Sequence, residues 1–207
     1  MSKGKKTRQD ILHKVAILFN EKGYVATSMQ DITAATGIKR GGIYNHFISK
    51  EALALEAFEY AYGLLSRQLL RGMSRQKTAV GRLNAIAYSF AELYIHNPSF
   101  PSGCQVLNTA VEAKRQMLPL RQKAQMAMRQ FQELIVKITC QGIAEGELPD
   151  SVDAEALAAI FVSVLEGGML LTVLYDDATY LKHAVSHLQA HLDHLAVPAT
   201  PTASTLQ

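Results

Sequence analysis

The side chains with the greatest capacity for chemistry gather in "KRGGIYNHF", residues 39 to 47. Two cations open the run, two glycines follow, and Tyr44, Asn45 and His46 come next. At 100° per residue, Ile43 and Phe47 lie about 40° apart on one side of a helix. Gly41 and Asn45 then fall about 160° and about 200° from Ile43, on the opposite side. Adjacent glycines cost about 1 kcal/mol each in a helix interior relative to alanine. A chain that keeps them gains bare backbone, which can approach a flat anionic surface closely. The major groove of DNA is such a surface. Arg40 can pair there with guanine or with phosphate, and Asn45 with adenine or a neighbouring base edge. Lys39 stands beside Arg40 at the start of this face, and Gly41 and Gly42 leave it open. Tyr44, His46, Lys50, Thr27 and Ser28 suit phosphate contacts, which position a protein without reading sequence.

Two other groups could act chemically. His183, His187, His191 and His194 are spaced by four, four and three, within about 80° of one helix face. Histidines one turn apart can hold a transition metal; the simpler reading is a polar outer face, and no metal or cofactor is expected. Cys104 and Cys140 are the only cysteines and lie far apart. Cys104 is either inert core or a reactive thiol. Without a disulfide framework or a secretory leader, the expected compartment is the cytoplasm. No HExxH motif, no Ser-His-Asp order and no phosphate loop is present, so an enzyme is not expected.

Net charge is only +3 over 207 residues, but it is unevenly placed. Residues 1–50 hold nine Lys/Arg against three acids, whereas the rest hold twelve against fifteen. A basic head on a mildly acidic body fits a polyanionic partner. The stretch 156–174, "ALAAIFVSVLEGGMLLTVL", is as long as a membrane span. Glu166 at its middle and the lack of flanking Lys/Arg argue instead for a core or interface helix, so no membrane partner is expected.

The elements that must carry these residues are helices throughout. "TRQD" at 7–10 reads as a capping box ahead of the stripe Ile11, Val15, Leu18, Phe19, and Gly23 closes that helix. Thr27 with Gln30 reads as a second capping box, Gly37 as the end of a second helix, and 39–46 as a third. Ser49 caps a long helix from 50 to about 72. Further helices are expected at about 78–97, 104–114, 118–145, 153–175 and 177–195, with Pro98, Pro101 and Pro149 between them. The expected fold is all-α: a three-helix helix-turn-helix head and a larger helical-bundle body, about nine helices. The expected divisions are a DNA-binding domain at 1–50, a sensing and dimerisation domain at 51–196, and a disordered tail at 197–207.

Residues 7 to about 55 resemble the DNA-binding domain of the tetracycline-repressor (TetR) family of bacterial transcription regulators. The resemblance lies in Gly23-Tyr24, Thr27, Asp31-Ile32, Ala35, Gly37, the Ile43-Tyr44…His46-Phe47 run and Lys50. It implies a homodimer whose heads bind a palindromic operator, and a body that binds a small molecule and commonly releases DNA in response. A repressor is thus expected, with an architectural DNA binder lacking a ligand, or a metal- or thiol-dependent helical enzyme, as the alternatives. The sequence departs from the family at Lys39, where a capping serine is common, and at Gly42, where Ser or Thr is common.

In the body, Phe58, Tyr62, Tyr88, Met126, Phe131, Phe161 and Met169 are candidates to line a largely apolar effector pocket, with Cys104, Asn108 and Leu165. Leu157, Phe161, Val164, Gly168 and Leu171 form one stripe and Leu181, Val185, Leu188 and Leu192 another. Two such helices from each protomer would build a four-helix dimer interface. Alternatively, both stripes serve the protomer's own core.

Overall fold

The computed structural model describes residues 3–96, 100–113 and 117–197, so the expected tail beyond 197 and the helix break at Pro98 lie outside the described residues. Nine helices occur among them. They are α1 (Lys3–Lys22), α2 (Met29–Thr36), α3 (Arg40–Tyr44), α4 (Lys50–Met73), α5 (Ala79–His96), α6 (Gln105–Glu112), α7 (Leu118–Ala144), α8 (Ala154–Tyr175) and α9 (Thr179–Leu195). The first three form a head around Ile11, Val15, Ile32, Ile43 and Phe47, all almost fully buried. Helix α4 packs on α1, α5 and α7, so a single helix joins head to body.

Helix starts depart from the expected caps in two places. Helix α1 begins at Lys3, and Thr7 and Asp10 lie inside it; Asp10 pairs with Lys14 one turn on at 3.4 Å. The cap of α2 is Ser28 rather than Thr27. Ser28 Oγ accepts from the Asp31 N–H at 3.1 Å, and the Asp31 carboxylate accepts from the Ser28 N–H at 2.7 Å. Thr27 is turned inward and its hydroxyl donates to the Gly23 carbonyl at 2.5 Å. Gly37 ends α2 with φ +72°, the left-handed conformation in which a side chain is strained.

Helix α8 has a mean hydropathy of 2.1 over 18 residues, enough to cross a membrane by length and composition. Here it is sandwiched between α7 and α9. Its Leu157 and Phe161, and the Leu181, Val185, Leu188 and Leu192 stripe of α9, are buried within the protomer. That corrects their placement in a dimer interface: the two stripes face each other and α5. Gly168 belongs to the same contact. A Cβ there would stand 2.6 Å from Ala184 Cβ and 3.3 Å from Leu181 Cα, whereas one at Gly167 would meet nothing within 4 Å. Gly168→Ala is therefore expected to destabilise the fold by about 1–3 kcal/mol through overpacking, less up to about 1 kcal/mol of helix propensity. Gly167→Ala should stabilise by about 1 kcal/mol. Urea denaturation of both variants checks the contrast; equal midpoints would remove the close α8–α9 crossing as its cause.

Candidate nucleic-acid interface

Helix α3 is short, and its two faces separate cleanly. Ile43 and Phe47 point into the head, while Lys39, Arg40, Gly41, Tyr44 and Asn45 are exposed. Gly41 opens onto free space, as its position opposite Ile43 requires. Gly42 does not: a Cβ there would stand 2.7 Å from Ile38 Cγ2, so this glycine makes room for the α2–α3 turn. The Arg40 guanidinium lies 5.5 Å from the Tyr44 ring centroid, one helical turn along the exposed face. His46 is half-buried beside Phe47.

Lys39 occupies the N-cap of α3 without a side-chain cap hydrogen bond, at φ −59° and ψ 151°. That extended backbone suits a capping hydroxyl. Lys39→Ser is expected to stabilise the head by about 1 kcal/mol, read as a higher urea midpoint at unchanged slope. An unchanged or lower midpoint would show that the α3 N-terminus gains nothing from a cap.

Several residues expected at phosphates are spoken for. Thr27 is buried and bonded internally. Lys50 donates to the Tyr24 carbonyl at 2.6 Å, and its ammonium sits 4.1 Å from the Tyr24 ring centroid, bolting the start of α4 to the α1–α2 turn. Partial burial holds the Lys50 pKa below the usual lysine range. Ser28 is exposed, but its hydroxyl also donates to Asp31 at 2.6 Å. Lys22 pairs with the same carboxylate at 2.7 Å, and these donors push the Asp31 pKa well below its ordinary value. Among the described residues, Lys39 and Arg40 are exposed at the recognition helix with no carboxylate paired to them, and Lys5 and Lys6 are exposed on the first turns of α1. Arg8 brings that end of α1 to the site: it stacks 4.7 Å from the Phe47 ring centroid and pairs with Glu56. Lys5 and Lys6 were visible in the sequence only as part of the charge excess.

Two joints tie the head to the body, and neither was legible in the sequence. Asn20, buried at the end of α1, donates to the Gly103 carbonyl at 3.0 Å and accepts from the Ser102 N–H at 3.0 Å. Glu112, at the end of α6, accepts from the Tyr24 and Val25 N–H groups at 3.0 and 2.8 Å. Helix α6 is thus pinned to the head at both ends.

The candidate pocket residues do not converge on one cavity. Phe58 lines a crevice between head and body with Phe19, Tyr24, Gln105 and Glu112. Tyr62 stacks on Phe58, and its hydroxyl donates to the Ala127 carbonyl at 3.3 Å. Tyr88 and Met126 are each 57% exposed, on separate outer clefts. Their spacing matched a helix, but the face they occupy points outward. Phe131, Phe161 and Leu165 are core, and Asn108 holds the α5–α6 loop through the Ser102 carbonyl at 2.7 Å. Cys104 meets Tyr94 and Glu166 in a buried polar cluster, and Met169, also buried, lines a neighbouring cleft with Tyr94. Burial, then the neighbouring carboxylate, holds the Cys104 thiol protonated, far above the usual thiol range, so it is no nucleophile in this state. Burial likewise raises the Glu166 carboxyl to about 7.

The outward face of α8 is apolar where it meets nothing. Ile160, Leu170, Leu171 and Leu174 are exposed, and the bare Gly167 lies among them. Of the residues expected at a dimer interface, Leu171 is on this face and Val164 is half-buried at its edge. Among the described residues, no group of three or more His, Cys, Asp or Glu, those of α9 included, is arranged to hold a metal ion.

Known proteins match both halves of this arrangement. Residues 11–57 match the family of bacterial regulatory proteins of the tetR type, and residues 79–188 match the tetracyclin repressor-like C-terminal domain. A TetR transcriptional regulator from Chloroflexus aurantiacus J-10-FL is 36% identical, superposes with a TM-score of 0.89, and covers 95% of this chain and 98% of its own. The transcriptional repressor DhaR of Mycobacterium sp. (strain GP1) is 25% identical over 163 residues, 79% of this chain and 80% of DhaR. A cysteine mutant of the TetR family regulator CifR, complexed with 26 bp of operator DNA, shares the fold at a TM-score of 0.79 and 22% identity, over 88% of this chain and 94% of its own. With a basic helix-turn-helix head on an all-helical frame and family matches over both parts, the chain belongs to the TetR family of DNA-binding transcription regulators, and it is a regulator rather than an enzyme.

Proposed function

We propose that the chain is a homodimeric, ligand-responsive repressor that occupies a palindromic operator in the bacterial cytoplasm and leaves it when a largely apolar small molecule binds the body. The observation that carries this reading is the exposed, bare α3 face of Arg40, Gly41 and Asn45, on a helix anchored by Ile43 and Phe47. Arg40 and Asn45 read base edges in the major groove. Lys39, Tyr44, His46, Lys5 and Lys6 meet phosphates. Thr27 and Lys50 act indirectly, by fixing the α1–α2 turn against α4.

The exposed strip of α8 supports the dimer. A partner's α8 covering Ile160, Leu170 and Leu174 would complete a four-helix interface. Two-fold symmetry then sets the recognition helices about 34 Å apart, one turn of DNA. The joints at Asn20 and Glu112 support the ligand response. A body that shifts α6 relative to α4 moves both contacts with the head, and a coupling of about 1–3 kcal/mol suffices for release.

Selection of operators from random DNA by the purified full chain tests the reading. The expected product is an inverted repeat with half-sites about 10 bp apart, bound by two protomers. Enrichment of a single unrepeated site, or of none, would sink it.

A further inference from the structure

Glu166 is the only charged side chain buried among the described residues, at 8% exposure, and its Oε2 has no hydrogen-bond partner. A buried carboxylate without a partner is costly, and each such group in a folded protein calls for an explanation. The groups that reach it are the Cys104 thiol, at the start of α6, and the Tyr94 hydroxyl of α5, which bonds to Cys104. No Lys, Arg or His among the described residues supports its charged form.

Glu166, Met169 and Val173 share one face of α8, at i, i+3 and i+7. Met169 and Val173 line a cleft of about 490 Å³ with Tyr94, Ile95 and Phe100. Asp176 and Asp177 stand on its rim. Tyr94 belongs to both places: it lines the cleft and hydrogen-bonds inward to Cys104. The cleft therefore has aromatic and thioether walls and an acidic rim, and one helical turn along α8 from its Met169 wall lies a buried carboxyl group with one oxygen unpaired. Such walls favour a cation with an apolar body.

We infer that Glu166 anchors the effector, and that the effector is a monocationic amine with an aromatic or alkyl body: its ammonium pairs with Oε2 while its body displaces Tyr94 and Met169 from the inner wall. This rests on the ligand-responsive reading above. Occupation would press on Tyr94 and Cys104, and so on the first turn of α6, whose far end holds the head through Glu112. Pairing requires Glu166 to give up its proton, so affinity rises as pH rises through about 7. Other groups at the cleft are His96, itself near Glu92, and Asp177, which faces His183 and Lys182. A Glu166→Gln variant retains all of these groups, so the comparison isolates the carboxyl of Glu166.

The probes are 4-phenylbutylamine, 4-phenylbutanol and 4-phenylbutyrate, which share a body and differ in charge. Calorimetric titration of the full-length protein at pH 6 and pH 8 is expected to show the amine binding at least about tenfold tighter than the other two at pH 8. Its affinity should rise by about tenfold from pH 6 to pH 8, and Glu166→Gln should lose both effects. Equal binding of the three probes, or an amine preference that survives in Glu166→Gln, would overturn the anchor. The wild-type comparison stands whether or not the variant folds. Gel shifts on the selected operator separate the two ideas. Tight, Glu166-dependent amine binding with no loss of DNA affinity overturns the ligand-responsive reading and leaves the anchor. Release of DNA by the alcohol or the acid, but not by the amine, overturns the anchor and leaves that reading.

Discussion

Arg40→Ala will lower affinity for the selected operator by about 10- to 100-fold, the cost of about 1–3 kcal/mol for one bidentate base contact. The folded protein should scarcely register the change. Arg40 is exposed at the first position of α3, its guanidinium lies over the Tyr44 ring, and the helix is anchored by Ile43 and Phe47 on the opposite side. Surface changes of this kind stay within about 0.5 kcal/mol of wild-type stability. The measurement is Kd for operator and for scrambled DNA at several salt concentrations. If Arg40 reads a base, operator affinity falls far more than scrambled affinity. If it clamps a phosphate, both fall together and the salt slope shrinks by about 1. Lys39→Ala, at the neighbouring exposed cation, is the phosphate-type comparison. Unchanged binding of both DNAs by Arg40→Ala would remove α3 from the groove.

Glu166→Gln will make the protein more stable above neutral pH by up to about 3 kcal/mol. The carboxyl is raised from 4.5 to about 7 in the folded protein, chiefly by burial, so the folded chain holds the proton more tightly than the unfolded one. Its stabilising contribution is fully present below about pH 4.5 and is lost as pH rises through about 7. At about 1.4 kcal/mol per tenfold change in proton affinity, that loss amounts to about 3 kcal/mol. Glutamine keeps the shape and cannot ionise. Urea denaturation at pH 5 and pH 8, at one protein concentration, should therefore show wild type losing stability between the two and the variant staying level. Parallel pH profiles would show that Glu166 is paired in the folded state.

Much of the head was legible before any coordinates. The spacing of Ile43 and Phe47 set the inward side of the recognition helix, and Gly41 and Asn45 followed on the other side. The helix boundaries at Gly23, Gly37 and Ser49 were also readable, because glycine in the left-handed region and a capping hydroxyl are local devices. The choice between Thr27 and Ser28 was not. Either hydroxyl can cap a helix, and only the packing of Thr27 against the Gly23 carbonyl decides that Ser28 does. Lys50 looked like a phosphate contact because its partner, the Tyr24 carbonyl, lies 26 residues away. The same distance in sequence hid Glu112, whose bonds to Tyr24 and Val25 span 88 and 87 residues.

In the body, the stripes on α8 and α9 announced two helices that bury one face. They did not announce whose surface would cover them. Gly167 and Gly168 are neighbours with opposite fates, one facing open space and the other pressed against Ala184. Periodicity reports that a face is apolar, and it is blind to whether the cover is the same chain or another.

By itself the sequence determined the helical class, the order of the helices, the basic head and the bare face of its third helix, because these depend on residues within one or two turns of each other. Only the tertiary structure decided which polar groups are left for a partner. Ser28, Thr27, Lys50 and Asn20 are consumed in internal bonds, while Arg40, Asn45 and the Oε2 of Glu166 are not. The reason is physical: a hydrogen bond is satisfied in space, by groups that chain order keeps far apart.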